Sequence, residues 1–130
     1  MALTTLTTED EYTYTPLSQR DEKDPFYVTF KRLSLEVIAE AQDTVLNLNN
    51  DQSMTLHVNA QNLLALRHGL TGWDNITDTK GKPVKFRIVR GVTATECLEY
   101  LPQELRTEIA TVILEVTKDP SKADELLGNE

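Results

Sequence analysis

Sixteen residues near the C-terminus, QELRTEIATVILEVTK (103–118), place Leu105, Ile109, Val112, Ile113 and Val116 three or four positions apart. That spacing draws one apolar stripe along an α-helix. Pro102 suits the first turn, where a missing N–H is harmless. Glu104 and Glu108 stand near the favourable N-terminus, Lys118 near the C-terminus, and Asp119-Pro120 stops the helix. A stripe of this width has to be covered. Either the remainder of the chain supplies the cover, as an ordinary core, or a second protein does.

The remainder offers partners for it. FYVTFKRL (26–33) alternates Phe26, Val28 and Phe30 against Tyr27, Thr29 and Lys31, which predicts a short strand. Ser34 caps a following helix, LEVIAEAQDTVLNL, with Leu35, Ile38, Ala41, Val45 and Leu48 on one face; NNDQS ends it. MTLHV (54–58) reads as a weak strand or extended piece. Asn59 caps a helix over AQNLLALRH, with Ala60, Leu63, Leu64 and Leu66 buried and Gly69 in the left-handed position past its end. Gly72 bends the chain before Trp73. In TDTKGK, Asp78 opens a tight turn and Gly81 takes positive φ. PVKFRIV then alternates Val84, Phe86 and Ile88 against Lys85 and Arg87, as a half-exposed strand. Thr93-Ala94-Thr95-Glu96 has capping-box spacing ahead of a short helix, ECLEYL.

The expected fold is therefore a single α+β domain, mainly α, with four to five helices and one small β-hairpin or short three-stranded sheet. Three regions are drawn: an acidic, Thr-rich arm over 1–24, a helical core domain over 25–118 with its hairpin near 76–90, and a short helix or tail over 119–130. The arm packs poorly alone, so order there calls for something to hold it, such as a neighbouring subunit.

The chain of 130 residues is long enough to bury a core without disulfides, and its single cysteine, Cys97, cannot form one internally. No apolar run spans a bilayer, and the N-terminus lacks a signal-peptide pattern. These features read as a soluble intracellular protein. His57 and His68 have no ligands at metal spacing, Cys97 has no local base, and Gly69, Gly72 and Gly81 do not make a phosphate cradle. No catalytic, metal-binding or cofactor-binding residue is assigned, and no enzyme is expected. Trp73 is either a partner anchor or a staple holding its loop to the helices.

Net charge is −8, which repels phosphate backbones and anionic lipid, yet Lys80, Lys82, Lys85, Arg87 and Arg90 form a run with no acid between them. That run is a solvated hairpin face, a nucleic-acid patch, or a basic hairpin that meets the acidic arm of another copy.

The order FYVTFKRLS, a helix, LRHGLTGWDNITDTKGKPVKF and LEYLPQELRTEIATVILEV resembles small tail-region proteins of long-tailed bacteriophages, in particular the tail assembly chaperones encoded just before the tape measure protein. The resemblance covers about residues 25–118, and the segments GLTGW…DTKGKPVKF and LPQELRTEIA carry it. It implies a non-enzymatic binding protein that keeps the tape measure protein soluble, helps recruit tail tube subunits, self-associates, acts in the cytoplasm of the infected host and is missing from the finished particle. It also implies a longer form made by a programmed −1 frameshift. The closing Leu-Gly-Asn fits, because CTG GGA AAC contains the slippery string G GGA AAC. The candidate partner-binding residues are Leu105, Ile109, Val112, Ile113 and Val116, with Trp73, Lys82, Lys85 and Arg87. Two alternatives stand beside this reading: a structural completion or connector protein of the tail, and a nucleic-acid-binding regulator using the basic hairpin.

Overall fold

The computed structural model describes residues 11–46 and 53–127. The chain runs β1 (Glu11–Tyr14), β2 (Tyr27–Lys31), α1 (Leu35–Leu46), α2 (Ser53–Gly69), β3 (Leu70–Asp74), β4 (Ile88–Val89), β5 (Val92–Thr93), α3 (Thr95–Glu99), α4 (Gln103–Lys118) and α5 (Ala123–Leu126). Strands β1, β2 and β3 form one antiparallel sheet in that order, and β4 pairs with β5 in a second. The architecture is α+β with two separate antiparallel sheets, which corrects the expected mainly α chain with a single hairpin or short sheet. Two strands account for the difference. β1 lies in the Thr-rich segment taken for an arm, and β3 uses LTGWD, taken for a bend.

The alternation in β2 decides the sheet's inner face. Phe26, Val28 and Phe30 are buried, and so is Tyr14 across from Val28. Tyr12 stacks on Phe30 at 5.4 Å between ring centroids. The sheet and α2 close over α4, whose Ile109, Ile113 and Val116 are fully buried, with Val112 nearly so and Leu105 half-buried. The stripe that opened the sequence argument is covered within the chain.

Residues 11–20 are tied to the chain's own sheet and helices. β1 is an edge strand of the chain's own sheet, and the turn after it is tied to α4 and α5. The Tyr14 hydroxyl donates to Glu108 Oε2, and the Leu17 N–H donates to the same oxygen at 3.1 Å. Arg20 donates through Nε to Thr15 O at 3.0 Å and through Nη2 to Leu126 O at 3.4 Å. The arm over 1–24 is thus corrected for its described part, since its pairing partners were remote in sequence. Residues 1–10 lie outside the described chain.

Several helix boundaries differ from expectation. MTLHV belongs to α2, because a helix running into the apolar AQNLLALRH segment overrides weak strand propensity. Ser34 does cap α1, its Oγ accepting from Val37 N at 3.3 Å. The face of α1 is rotated, however: Val37 is buried and Leu35 is 82% exposed. Ala41, Val45, Leu48 and His57 fall outside the described side chains. On α2, Ala65 and Leu66 are buried while Leu63 is exposed. The capping box at Thr93 does not form. Ala94 is the N-cap of α3, and Thr93, buried, turns its hydroxyl to Leu66 O at 3.3 Å.

Gly69 is the last residue of α2 and has no positive φ. Its role is close approach. A Cβ there would stand 2.9 Å from Ile113 Cγ2 and 3.2 Å from Ile113 Cδ1. Gly72 likewise marks no bend; it pairs with Thr29 inside the sheet.

Two expected outcomes follow from this packing. Gly69→Ala forces Ile113 aside and should cost about 1–3 kcal/mol in chemical denaturation, the range for overpacking a filled core. Burial, and next the hydrogen bond to Glu108, raise the Tyr14 hydroxyl well above the ordinary tyrosine range. A phenol with a raised pKa adds stability that is complete below the unfolded-state value, about 10, and is lost as pH climbs toward the folded one. Wild type should therefore lose melting temperature above about pH 10 more steeply than Tyr14→Phe.

Candidate functional site

The segment between β3 and α3 begins with a tight turn. Asp78 Oδ1 accepts from Lys80 N at 2.8 Å and Lys82 N at 3.0 Å, and Asp78 N donates to Lys82 O at 2.8 Å. Gly81 takes φ +79, as a turn with this hydrogen bonding needs. A single bridge, Thr77 with Pro83, closes that turn. Residues 84–87 belong to no strand, though Val84 N donates to Ile76 O at 3.0 Å and Arg87 O accepts from Ala94 N at 2.9 Å.

Trp73 holds this segment down. Its Nε1–H donates to Val84 O at 2.9 Å. Its ring meets Phe86 edge-on at 5.2 Å and Phe26 at 6.3 Å. Val84 and Phe86 point inward, as the alternation predicts; Lys82, Lys85 and Arg87 point outward. Half-buried, with its one polar atom bonded, Trp73 is placed as the staple between β3 and the loop.

The second sheet is a turn the sequence reading missed. Between β4 and β5, Arg90 has φ +56 and Gly91 φ +81. Positive φ at both central residues is the signature of a type I′ hairpin, whose twist matches the strands. The available signal was Gly91 between two β-branched pairs. It is weaker than Asn-Gly because arginine seldom takes positive φ. The β-ladder leaves Ile88 55% and Val89 49% exposed. Ile88 was expected on the inner face and is not there.

The predicted site residues are thus divided. Ile109, Val112, Ile113 and Val116 lie in the core, with Leu105 packed at its edge, and a partner reaches them only by opening the fold. Lys82, Lys85 and Arg87 are on the surface, where Arg87 pairs with Glu96. Cys97 is buried, its Sγ 3.7 Å from Lys85 O. His68 is half-buried and lines the same surface groove as Leu35. Among the described residues no group of three or more histidine, cysteine or carboxylate side chains stands together to hold a metal, and no helix is long and apolar enough to cross a membrane.

What the surface does present is a groove of about 690 Å³ between the start of α1 and the β4–β5 turn. Leu33 and Val37 form its floor, Leu35 and Ile38 its apolar wall, and Gly91 its far side. Lys31 and Arg32 line the same groove. Arg90, next to Gly91, lines a neighbouring depression of about 370 Å³ together with Arg67 and Val89. Both depressions open to solvent and are lined mostly by surface side chains. They suit contact with another macromolecule better than enclosure of a small reactant.

No family model, curated protein or solved structure matches the chain. The chain's single tryptophan makes the staple directly observable. Trp73→Phe, which keeps a ring but strands Val84 O, should cost about 1 kcal/mol in thermal or chemical denaturation. Trp73→Ala should cost about 3 kcal/mol, near the lower end for removing a large aromatic because the ring is only half-buried.

Proposed function

We propose that this protein is a non-enzymatic tail assembly chaperone of a long-tailed bacteriophage. It binds the tape measure protein, keeps it soluble in the host cytoplasm, helps bring tail tube subunits to it, and self-associates, alone or with a frameshifted longer form. The resemblance over residues 25–118 supports the family. The observation that carries the binding role is exposed apolar surface: Leu35, Ile88, Val89 and Tyr100 stand in solvent although the chain fills its core without them. Of these, Ile88 and Val89 are neighbours on β4, and adjoining apolar area is what a partner protein covers.

The α4 stripe has no part in this reading as an open surface, since it serves the core. The client-binding role passes to side chains the fold leaves outside.

Co-expression of the full chain with its tape measure polypeptide tests the proposal. The expected result is a soluble complex that co-purifies, and a chain missing from purified virions by mass spectrometry. Failure to raise the soluble yield of the tape measure polypeptide, or stoichiometric presence in virions, overturns it; the latter result assigns a structural tail role.

A further inference from the structure

We infer that the groove between α1 and the β4–β5 turn is the docking site for a client helix, and that the helix it takes is amphipathic with acidic flanks. The inference rests on the protein-binding reading above and adds to it a place and a partner chemistry.

Three observations carry it. The first is shape. Leu35 and Ile38 are three positions apart on the first turn of α1, which is the spacing of one ridge on a helix surface. Leu35 projects into solvent at the mouth of the groove while Leu33 and Val37 close its floor. A ridge of this kind packs into the surface of another helix. An extended strand has no comparable seat here: β4 and β5 are two residues each, too short to template an added strand.

The second is charge. The molecule carries −8 overall, yet the groove and the adjoining depression gather Lys31, Arg32, Arg67 and Arg90. Two carboxylates line them, Glu36 and Glu96, and Glu96 is engaged by Arg87. Cations in excess around an apolar strip select a partner whose apolar stripe is bordered by Asp or Glu. They select against a basic helix and against one flanked by neutral residues.

The third is unspent hydrogen-bonding capacity. Arg32 donates one Nη2 bond to Thr117 O at 3.0 Å, and its Nε–H is buried with no acceptor. The Nε–H groups of Arg67 and of Arg106, the latter away from the groove, are buried and without an acceptor as well. An unpaired donor of this kind is a cost in the isolated chain. A modest rotation of the Arg32 or Arg67 guanidinium toward a partner carboxylate would satisfy it by a bidentate pair. Arg32 and Arg67 border the groove and its neighbour, where flanking acids of a docked helix would lie.

The probe is a set of three fluorescein-labelled synthetic helices with one shared apolar stripe, flanked by glutamate, glutamine or lysine. Fluorescence anisotropy against the full chain should rank glutamate first, with binding that weakens as salt is raised. Arg67→Glu and Arg90→Glu should each weaken the glutamate-flanked helix by about tenfold or more, and Leu35→Asp should abolish it. Circular dichroism should remain that of wild type, because Leu35 and Arg90 are exposed and neither holds the core. Lys80→Glu, outside the groove lining, should weaken the helix far less than Arg67→Glu or Arg90→Glu.

Equal binding of all three peptides, or variants that bind like wild type, overturns the inference. So does loss of a concentration-dependent self-association through the same variants with no effect on peptide, which makes the occupant a second copy. Retention of duplex DNA abolished by Arg67→Glu and Arg90→Glu, without peptide binding, assigns the groove to nucleic acid. The tape measure co-expression separates the two levels. Groove variants that still solubilise the tape measure polypeptide sink the groove and leave the chaperone reading standing. A wild-type chain that binds the acidic helix but ignores the tape measure polypeptide does the reverse.

Discussion

The fold depends on how closely the end of α2 can approach the middle of α4. Gly69 removes a side chain at the one point where Ile113 needs the space, and Leu33 closes in from the other side. That contact fixes where α2 stops. The next residue, Leu70, is already the first of β3 and is itself buried. The sheet is therefore hung from the helix pair at a set place, and β2 and β1 follow from β3 by antiparallel pairing. Interiors packed to crystal-like density transmit such a constraint without slack.

Much of this was legible in the sequence. The α4 stripe was explicit in its spacing, and the limits of that helix were set by Pro102 and Asp119-Pro120. The inward set of β2 was equally clear, since alternation of large apolar residues has only one reading. The turn at Asp78–Gly81 declared itself through residue types that few other conformations use. What failed had a common cause. Gly69 and Gly72 were read for what glycine permits in the backbone, whereas the structure uses what glycine lacks, a Cβ. Close approach involves a residue distant in sequence and leaves no local trace. β1 was missed for the same reason, because its order comes from Lys31, Phe30 and Thr29 across the sheet and from Glu108 on α4. The exposed position of Leu35 was hidden too: a periodic pattern names a face but not which of two adjacent apolar positions turns inward, and Val37 won.

The division between core and surface shapes the functional reading. A chain that needed its best apolar stripe for a client would have to unfold to work. Here the stripe is spent inside, and smaller apolar features at Leu35, Ile88 and Val89 stay available on top of a finished fold. These exposed side chains can be altered without loss of the domain, so any contact they make is separable from stability. The basic segment over 80–90 fits the same division. Its charges face outward while Val84 and Phe86, on the opposite side of the same extended stretch, are pinned by Trp73.

Five of the thirteen basic residues crowd into one outward-facing stretch of eleven, on a body that is acidic nearly everywhere else. The molecule is consequently an electrical dipole as well as an anion. Beside a negatively charged surface such a particle is pushed off by its bulk and turned, over a Debye length of about 8 Å, to present its positive end. Orientation before touch speeds encounter with an acidic partner and leaves the rate of separation to the contacts themselves.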